Sequence, residues 1–443
     1  MRTIAFLLVL ALQLHAENWP GWRGPRGDGS SMEKNVPVKW SATENIAWKT
    51  AIPGEGHSSP VIYGDQVFLL SCLSEKQERV LISLDRNTGK PQWQRTVIKT
   101  PLETIHRLNS RASCTPVTDG KLIYVAVMKV DDKTIPAPNV GTARLITPGS
   151  IEVVAFDLKG NRKWSRNIGP FISAHGFSAC PVLYRDLVIV NGDHDGEAYI
   201  AALDRATGEL RWKTPRENKT RSYGTPLIRT IDGRDQMILC GSKSVTSHDP
   251  ATGKRHWIID SPTEQFVASM VYNGKHVFVT GGYPERHILA IRPNGRGNVT
   301  ETHIAWRARR GAAYVPSPVV LGDYFLIVSD AGIASCFDAG DGTRHWMERH
   351  DPTHPKSINS GGTFNQNAIS LAAVEAVFAH LWSAEQCTQH NQRATEFKQA
   401  INELTSRYNA PCKAYGSGSL LTLIWQKQSV TDDRADGLVH DLN

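Results

Sequence analysis

Residues 203–212 read Leu203-Asp204-Arg205-Ala206-Thr207-Gly208-Glu209-Leu210-Arg211-Trp212, and the pattern decides the fold because it returns. Leu84-Asp85-Arg86-Asn87-Thr88-Gly89 with Trp93 and His248-Asp249-Pro250-Ala251-Thr252-Gly253 with Trp257 repeat it closely. Looser copies are Phe156-Asp157-Leu158-Lys159-Gly160 with Trp164, Phe337-Asp338 through Gly342 with Trp346, and Ile291-Arg292-Pro293-Asn294-Gly295 followed by Trp306. Trp48 heads the series, and the intervals between successive tryptophans are 45, 71, 48, 45, 49 and 40 residues, so one of them holds an insertion. A period of this size marks a repeat architecture and has to be read before any local structure.

Working outward, a second motif runs in phase with the first. Ser59-Pro60-Val61, Thr115-Pro116-Val117, Cys180-Pro181-Val182, Thr225-Pro226-Leu227 and Ser317-Pro318-Val319 each open an alternating apolar run. Turn signals such as Tyr63-Gly64-Asp65, Asn273-Gly274 and Gly322-Asp323 follow, and then β-branched or aromatic stretches such as Val277-Phe278-Val279. Each repeat therefore reads as four short strands. Proline, which cannot donate to a ladder, stands at the first strand's start. Asp accepts backbone N–H groups at the last turn, and Gly supplies its positive φ. A lone four-stranded sheet of this size cannot bury both faces, so copies must stack, the indoles lying where one sheet meets the next. Radial stacking gives an all-β β-propeller of four-stranded blades, and the period-2 alternation excludes helical repeats.

Repeats ending in Leu-Asp-x-x-Thr-Gly-x-x-x-Trp resemble the quinoprotein-type, PQQ-like propeller repeat, shared by quinoprotein alcohol dehydrogenases and by the BamB scaffold of outer-membrane assembly. The opening Trp19-Pro20-Gly21-Trp22-Arg23-Gly24-Pro25, with Trp40 and Asn45-Ile46-Ala47-Trp48, is similar to the N-terminus of secreted bacterial members. The resemblance covers about residues 17–350 and is specific for fold rather than for activity.

Six complete repeats are visible, over residues 58–96, 113–166, 178–214, 223–259, 266–308 and 315–349. Trp48 then supplies the outermost strand of a further blade, so seven blades are expected, eight being allowed. The tail, 351–443, should hold the other three strands, yet all repeat landmarks vanish after Trp346. Residues 367–384 and 395–408 carry helical apolar spacing, and only Ser419 to Gln426 reads as a strand. An atypical, partly helical tail is expected: an appendage or the product of a changed reading frame, favoured over a diverged closing blade hidden by loops.

Hydrophobic residues make up 40% and charged residues 21% of the 443, a globular composition. The net charge of +7 is dispersed, with no run of five like charges, which argues against nucleic acid. Residues 351–443 hold seven Lys plus Arg and nine Asp plus Glu, −2, which leaves +9 for the rest. Arg2, the apolar run Ile4 to Leu12 and Leu14-His15-Ala16 read as a cleaved secretory signal over residues 1–16. No later apolar run could span a bilayer, and the first cysteine is Cys72, so the expected protein is periplasmic or secreted, without lipid or membrane span. Of seven cysteines, Cys387 and Cys412 form the candidate pair, whereas Cys72, Cys114, Cys180, Cys240 and Cys336 lie in strand-like runs and are expected as buried thiols.

Quinone-dependent dehydrogenation, the activity the resemblance brings, needs PQQ beside calcium. The family's active enzymes have adjacent cysteines, which this chain lacks, and no calcium ligand set aligns. Asn191-Gly192-Asp193-His194-Asp195-Gly196 starts like a calcium loop, but the twelfth position is Ala202, so a hairpin between Val188 and Tyr199 is expected. No zinc, nucleophile-elbow or phosphate-loop pattern occurs. The better candidates follow from topology: residues just before the innermost strands line the channel mouth. They are His57, Arg111, His175, Tyr223 and Tyr314, with Asn109 and Arg221 nearby. They either grip an anionic or sugar-like ligand or merely hydrate the channel and cap strand ends. The leading expectation is a non-catalytic scaffold for envelope or secreted proteins. A PQQ-dependent oxidoreductase is the first alternative and a carbohydrate-binding propeller the second.

Overall fold

A computed structural model describes residues 16–349, apart from 35, 38–40, 42 and 262, and parts of 392–425. Residues 1–15 of the expected signal segment and the helical spacing at 367–384 lie outside the described residues, as does the side-chain geometry of the Cys387–Cys412 pairing. In the tail, the helical positions described fall between 392 and 407, and Leu420–Trp425 pairs with a strand not anticipated, Cys412–Ser417.

The first sheet shows the rule that the others follow. Val61–Tyr63, Gln66–Leu73, Glu78–Asp85 and Pro91–Lys99 pair in that order, all antiparallel. Five more four-strand antiparallel meanders follow, with innermost strands Val117–Thr118, Val182–Tyr184, Leu227–Ile231, Val271–Tyr272 and Val319–Leu321. Their outermost strands are Arg162–Phe171, Leu210–Pro215, Arg255–Asp260, Ile304–Ala308 and Arg344–Arg349. The long tryptophan interval contains a hairpin, Ile135–Pro136 with Leu145–Ile146, inserted between the second and third strands of the second sheet. Gly297–Asn298, from the fifth repeat, adds a parallel fifth strand outside the fourth sheet. The architecture is a β-propeller.

The repeated Asp and Gly do what their chemistry allows. Asp85 accepts the Asn87 and Thr88 N–H groups at 3.1 and 2.8 Å, and the Thr88 hydroxyl at 2.8 Å. Gly89 sits at φ +68°, where a Cβ would stand 2.4 Å from the Trp48 ring. Beside this turn a bulge recurs between the third and fourth strands, at Ser83/Leu84, Ala202/Leu203, Ser247/His248, Ala290/Ile291 and Cys336/Phe337. Such a bulge re-aims the side chains of the outer strand.

What those side chains meet is the next sheet. The Trp93 indole N–H donates to Leu158 O at 3.1 Å, Trp164 to Arg205 O at 3.1 Å, Trp257 to Pro293 O at 3.2 Å and Trp306 to Ala339 O at 3.2 Å. Each acceptor follows the Asp position of the neighbouring sheet's turn. Trp48 donates to Arg86 O at 2.8 Å, so it stands where the outer strand of a sheet preceding the first would stand. Trp212 still lies against Gly253, but its indole nitrogen has no partner. The apolar cores accordingly form between sheets. One unites sheets one to three around Phe68, Tyr124 and Phe156, another joins four and five around Trp257, and a third joins five and six around Phe278 and Phe325.

Candidate functional site

The residues before each proline form a belt around the axis. Ser59 N–H donates to Thr115 Oγ1 at 3.0 Å, Thr115 N–H to Cys180 Sγ at 3.3 Å, and Ser269 N–H to Ser317 Oγ at 2.8 Å, each bond running from one innermost strand to the next. The proline motif by itself does not reveal these bonds. The signal was a hydroxyl or thiol residue before every proline, and Ser269-Met270-Val271 completes the set without one. The five cysteines named as buried thiols are buried. Burial pushes Cys180 up to about 11 and Cys240 up to about 12, which keeps both protonated at neutral pH.

Loops entering the innermost strands, and those joining second to third strands, open on one face, the mouth. The five candidate residues divide there. His175, Tyr223 and Tyr314 come together: His175 Nδ1 lies 2.8 Å from the Tyr223 hydroxyl, with the two rings stacked, and Tyr223 and Tyr314 share an apolar cluster with Cys180 and Trp22. The Tyr314 hydroxyl donates to Gln265 at 3.0 Å. Burial raises Tyr223 well above an ordinary phenol and Tyr314 to about 12. Asn109 holds the loop from below, donating to His175 O at 2.7 Å, while the His106 ring lies 5.0 Å from the His175 ring. Burial, with Arg221, His106 and Arg144 nearby, pushes His175 down to about 3, so it is neutral at any working pH.

His57 and Arg111 stand apart. Arg111 donates to Glu103 O at 3.2 Å and reaches Glu55 at 3.3 Å, beside the buried Arg79–Glu103 ion pair. The backbone N–H of His57 is held by Ala112 O at 3.1 Å and Ser110 Oγ at 3.0 Å, leaving its buried Nδ1 without a partner.

Asn191 to Gly196 lies in the expected hairpin, where Leu187–Gly192 pairs with Tyr199–Asp204, and the acids of its turn are held in a way the sequence does not show. Asp193 accepts from Arg216 Nε at 2.8 Å and Asp195 from Arg221 Nη1 at 2.8 Å, and all four side chains are at most 5% exposed. Burial lifts the Asp193 carboxyl and Arg216 opposes that rise. Asn139, on the inserted hairpin, completes the arrangement by accepting from Arg221 Nη2 at 3.0 Å. The insertion is thereby fastened over the mouth.

The resemblance to quinone enzymes implies PQQ beside calcium, and the residues do not fit that group. Among the described residues no three His, Cys, Asp or Glu side chains converge. Asp193 and Asp195 are each held by an arginine, Asp330 is occupied by the Tyr314 and Val315 N–H groups at 2.7 and 3.0 Å, and the aromatic space beneath the mouth contains Trp22.

Two buried histidines make the fold acid-sensitive. His194 Nδ1 accepts the Gly196 N–H at 2.9 Å while Nε2 faces Glu197 O at 3.1 Å. His248 Nδ1 faces Gly253 O at 3.0 Å, leaving Nε2 buried and unpartnered. Burial pushes both down to about 4. Their folded values lie below the unfolded value near 6.5, so the unfolded chain binds more protons between those limits. Stability is complete above about pH 6.5 and falls toward pH 4, by about 1.4 kcal/mol per pH unit for each histidine. Thermal melts from pH 8 to 4.5 should show this decline. His248→Asn, which keeps a donor toward Gly253, should flatten it; an unchanged slope in that variant contradicts the assignment.

A family model described as outer membrane protein assembly factor BamB matches residues 32–171 and 142–348. BamB from Moraxella catarrhalis is similar at 17% identity, over 70% of this chain and 81% of that one, with TM-score 0.47. Quinohemoprotein alcohol dehydrogenase from Comamonas testosteroni is similar at 12% identity, over 75% and 73%, with TM-score 0.47. A europium-containing methanol dehydrogenase is similar at 12% identity, over 76% and 86%, with TM-score 0.48. Among curated proteins none matches. No helix of the described residues is long and apolar enough to cross a membrane. With the repeat, the stacked sheets and the family match in agreement, the chain belongs to the BamB-like family of PQQ-type repeat proteins.

Proposed function

We propose that the protein is an exported, non-catalytic scaffold that docks another envelope protein on its mouth face. One observation carries this reading: Leu108, Leu145 and Tyr283, 41, 63 and 56% exposed, lie on mouth loops together with exposed Arg107 and Arg144. Large apolar side chains set among arginines suit protein recognition, since the apolar contacts supply affinity and the charges orient the encounter. The partner surface this face fits is apolar and acidic, in keeping with the +9 carried by the chain before residue 351. The apolar segment at residues 4–12 supports export, and the family's namesake, an outer membrane protein assembly factor, supports a place in the envelope.

The test compares the wild-type chain with Arg107→Glu/Arg144→Glu in capture from envelope extracts at low and high salt. The reading requires that an acidic protein be retained by the wild type, that salt weaken it, and that charge reversal cut retention about tenfold or more. Retention indifferent to both treatments, or protein that purifies carrying a quinone, contradicts it.

A further inference from the structure

The opening segment belongs to no sheet, yet it touches five of them. Trp19 exchanges two backbone bonds with Ile62, at 2.8 and 2.9 Å, in the first innermost strand. Pro20 O accepts from Thr118 N–H at 2.8 Å in the second. Arg26 O accepts from Arg229 at 2.5 Å in the fourth, the Trp22 indole donates to Ser269 Oγ at 2.8 Å at the entry to the fifth, and Arg23 donates to Pro318 O at 3.3 Å at the entry to the sixth. A short stretch can meet five innermost strands of a ring only on its axis.

Its direction is also defined. Asn18 accepts from Gly64 N–H at 2.8 Å and Ala16 O from Arg86 at 3.3 Å, both at turns on the face opposite the mouth. From there the segment rises until Trp22 reaches Tyr223 and Tyr314 beneath the mouth. It is coiled on itself: Gly24 N–H donates to Gly21 O, Gly27 to Gly24 O and Gly29 to Arg23 O. Arg26 clamps Glu17 at 2.6 and 2.8 Å and holds that carboxyl down at about 2. Gly24 sits at φ +73° with the Trp19 ring 2.7 Å from where a Cβ would stand. Beyond Ser30 the segment returns to the face where it entered, Met32 N–H donating to Glu17 at 3.2 Å and Glu17 N–H to Glu33 at 2.5 Å, and Met32, Glu33 and Lys34 are exposed there.

We propose that the axial channel is a peptide-binding site, filled in cis by residues 18–30, whose ligand class is a compact Trp-Pro-Gly-Trp-Arg coil anchored by an indole at Ser269 and a guanidinium at Pro318. The coil shuts the face opposite the mouth, which makes the ring a cup open at one end. This does not depend on what docks at the mouth.

A specific protease site inserted between Glu33 and Lys34 of the full chain allows the segment to be cut free after folding. The fragment is expected to co-elute with the ring under native conditions and to separate only in denaturant. A labelled synthetic peptide of residues 17–33 should exchange into the cut protein, and a Trp22→Ala peptide should compete at least about tenfold more weakly. Both readouts use a wild-type ring, so folding of a variant does not enter. A fragment that leaves the ring on native gel filtration, or an alanine peptide that competes as well as the wild type, overturns the proposal.

Discussion

Arg216→Ala is expected to destabilise the protein by about 3–5 kcal/mol, the usual consequence of stranding one member of a buried ion pair. The guanidinium is 1% exposed and joins two sheets: it donates to Asp193 at 2.8 Å, to Thr246 Oγ1 at 2.7 Å and to Gly241 O at 3.1 Å. Without it, the fully buried Asp193 carboxylate keeps only a contact with Asn191 Nδ2 at 3.5 Å and must ionise in an apolar setting or take up a proton. Urea unfolding should show a lower midpoint with an unchanged slope. The double variant Arg216→Met/Asp193→Leu should recover much of the loss, because removing both charges also removes their desolvation cost. A double variant as unstable as the sum of the single ones contradicts this account of the pair.

Trp257→Ala should cost a similar amount, about 3–5 kcal/mol. The ring is 0% exposed, and its N–H is shared between Gln236 Oε1 at 2.9 Å and Pro293 O at 3.2 Å, so truncation opens a cavity between the fourth and fifth sheets and takes one donor from each of two acceptors, which keep Ser247 Oγ and Gln236 Nε2. Trp212→Ala is the internal control. Its ring is half-buried and its indole nitrogen unpartnered, so only the transfer of apolar surface is lost, about 1–3 kcal/mol. Equal losses in the two variants would deny the indole bond any part in joining the sheets.

The contrast between these two tryptophans shows what could be read without coordinates. The repeat of Asp, Gly and Trp announces the sheet, its turn and its outward ring, because each of those jobs is local and needs one residue type. The same local logic placed the prolines at the starts of the innermost strands. Arg216 escaped notice because its partner, Asp193, is 23 residues away and belongs to a stretch that looks like an ordinary Asp-Gly turn. The opening segment escaped for a related reason. Trp19 to Ser30 has no period to follow, and its contacts fall on Ile62, Thr118, Arg229, Ser269 and Pro318, separations that only ring closure brings together. Topology named His57, Arg111, His175, Tyr223 and Tyr314 alike; His175, Tyr223 and Tyr314 lie together, whereas Arg111 turns toward Glu55, a contact that strand order does not encode.

Proton exchange at the tryptophan indole nitrogens, followed by NMR on indole-labelled protein, tests most directly whether each sheet is pinned to its neighbour around a closed axis. The indole protons of Trp48, Trp93, Trp164, Trp257 and Trp306, and that of Trp22 in the channel, should exchange far more slowly than in a free peptide. If Trp48 and Trp22 exchange at the free-peptide rate while the others are protected, the sheets are stacked but neither joined through Trp48 nor filled along the axis.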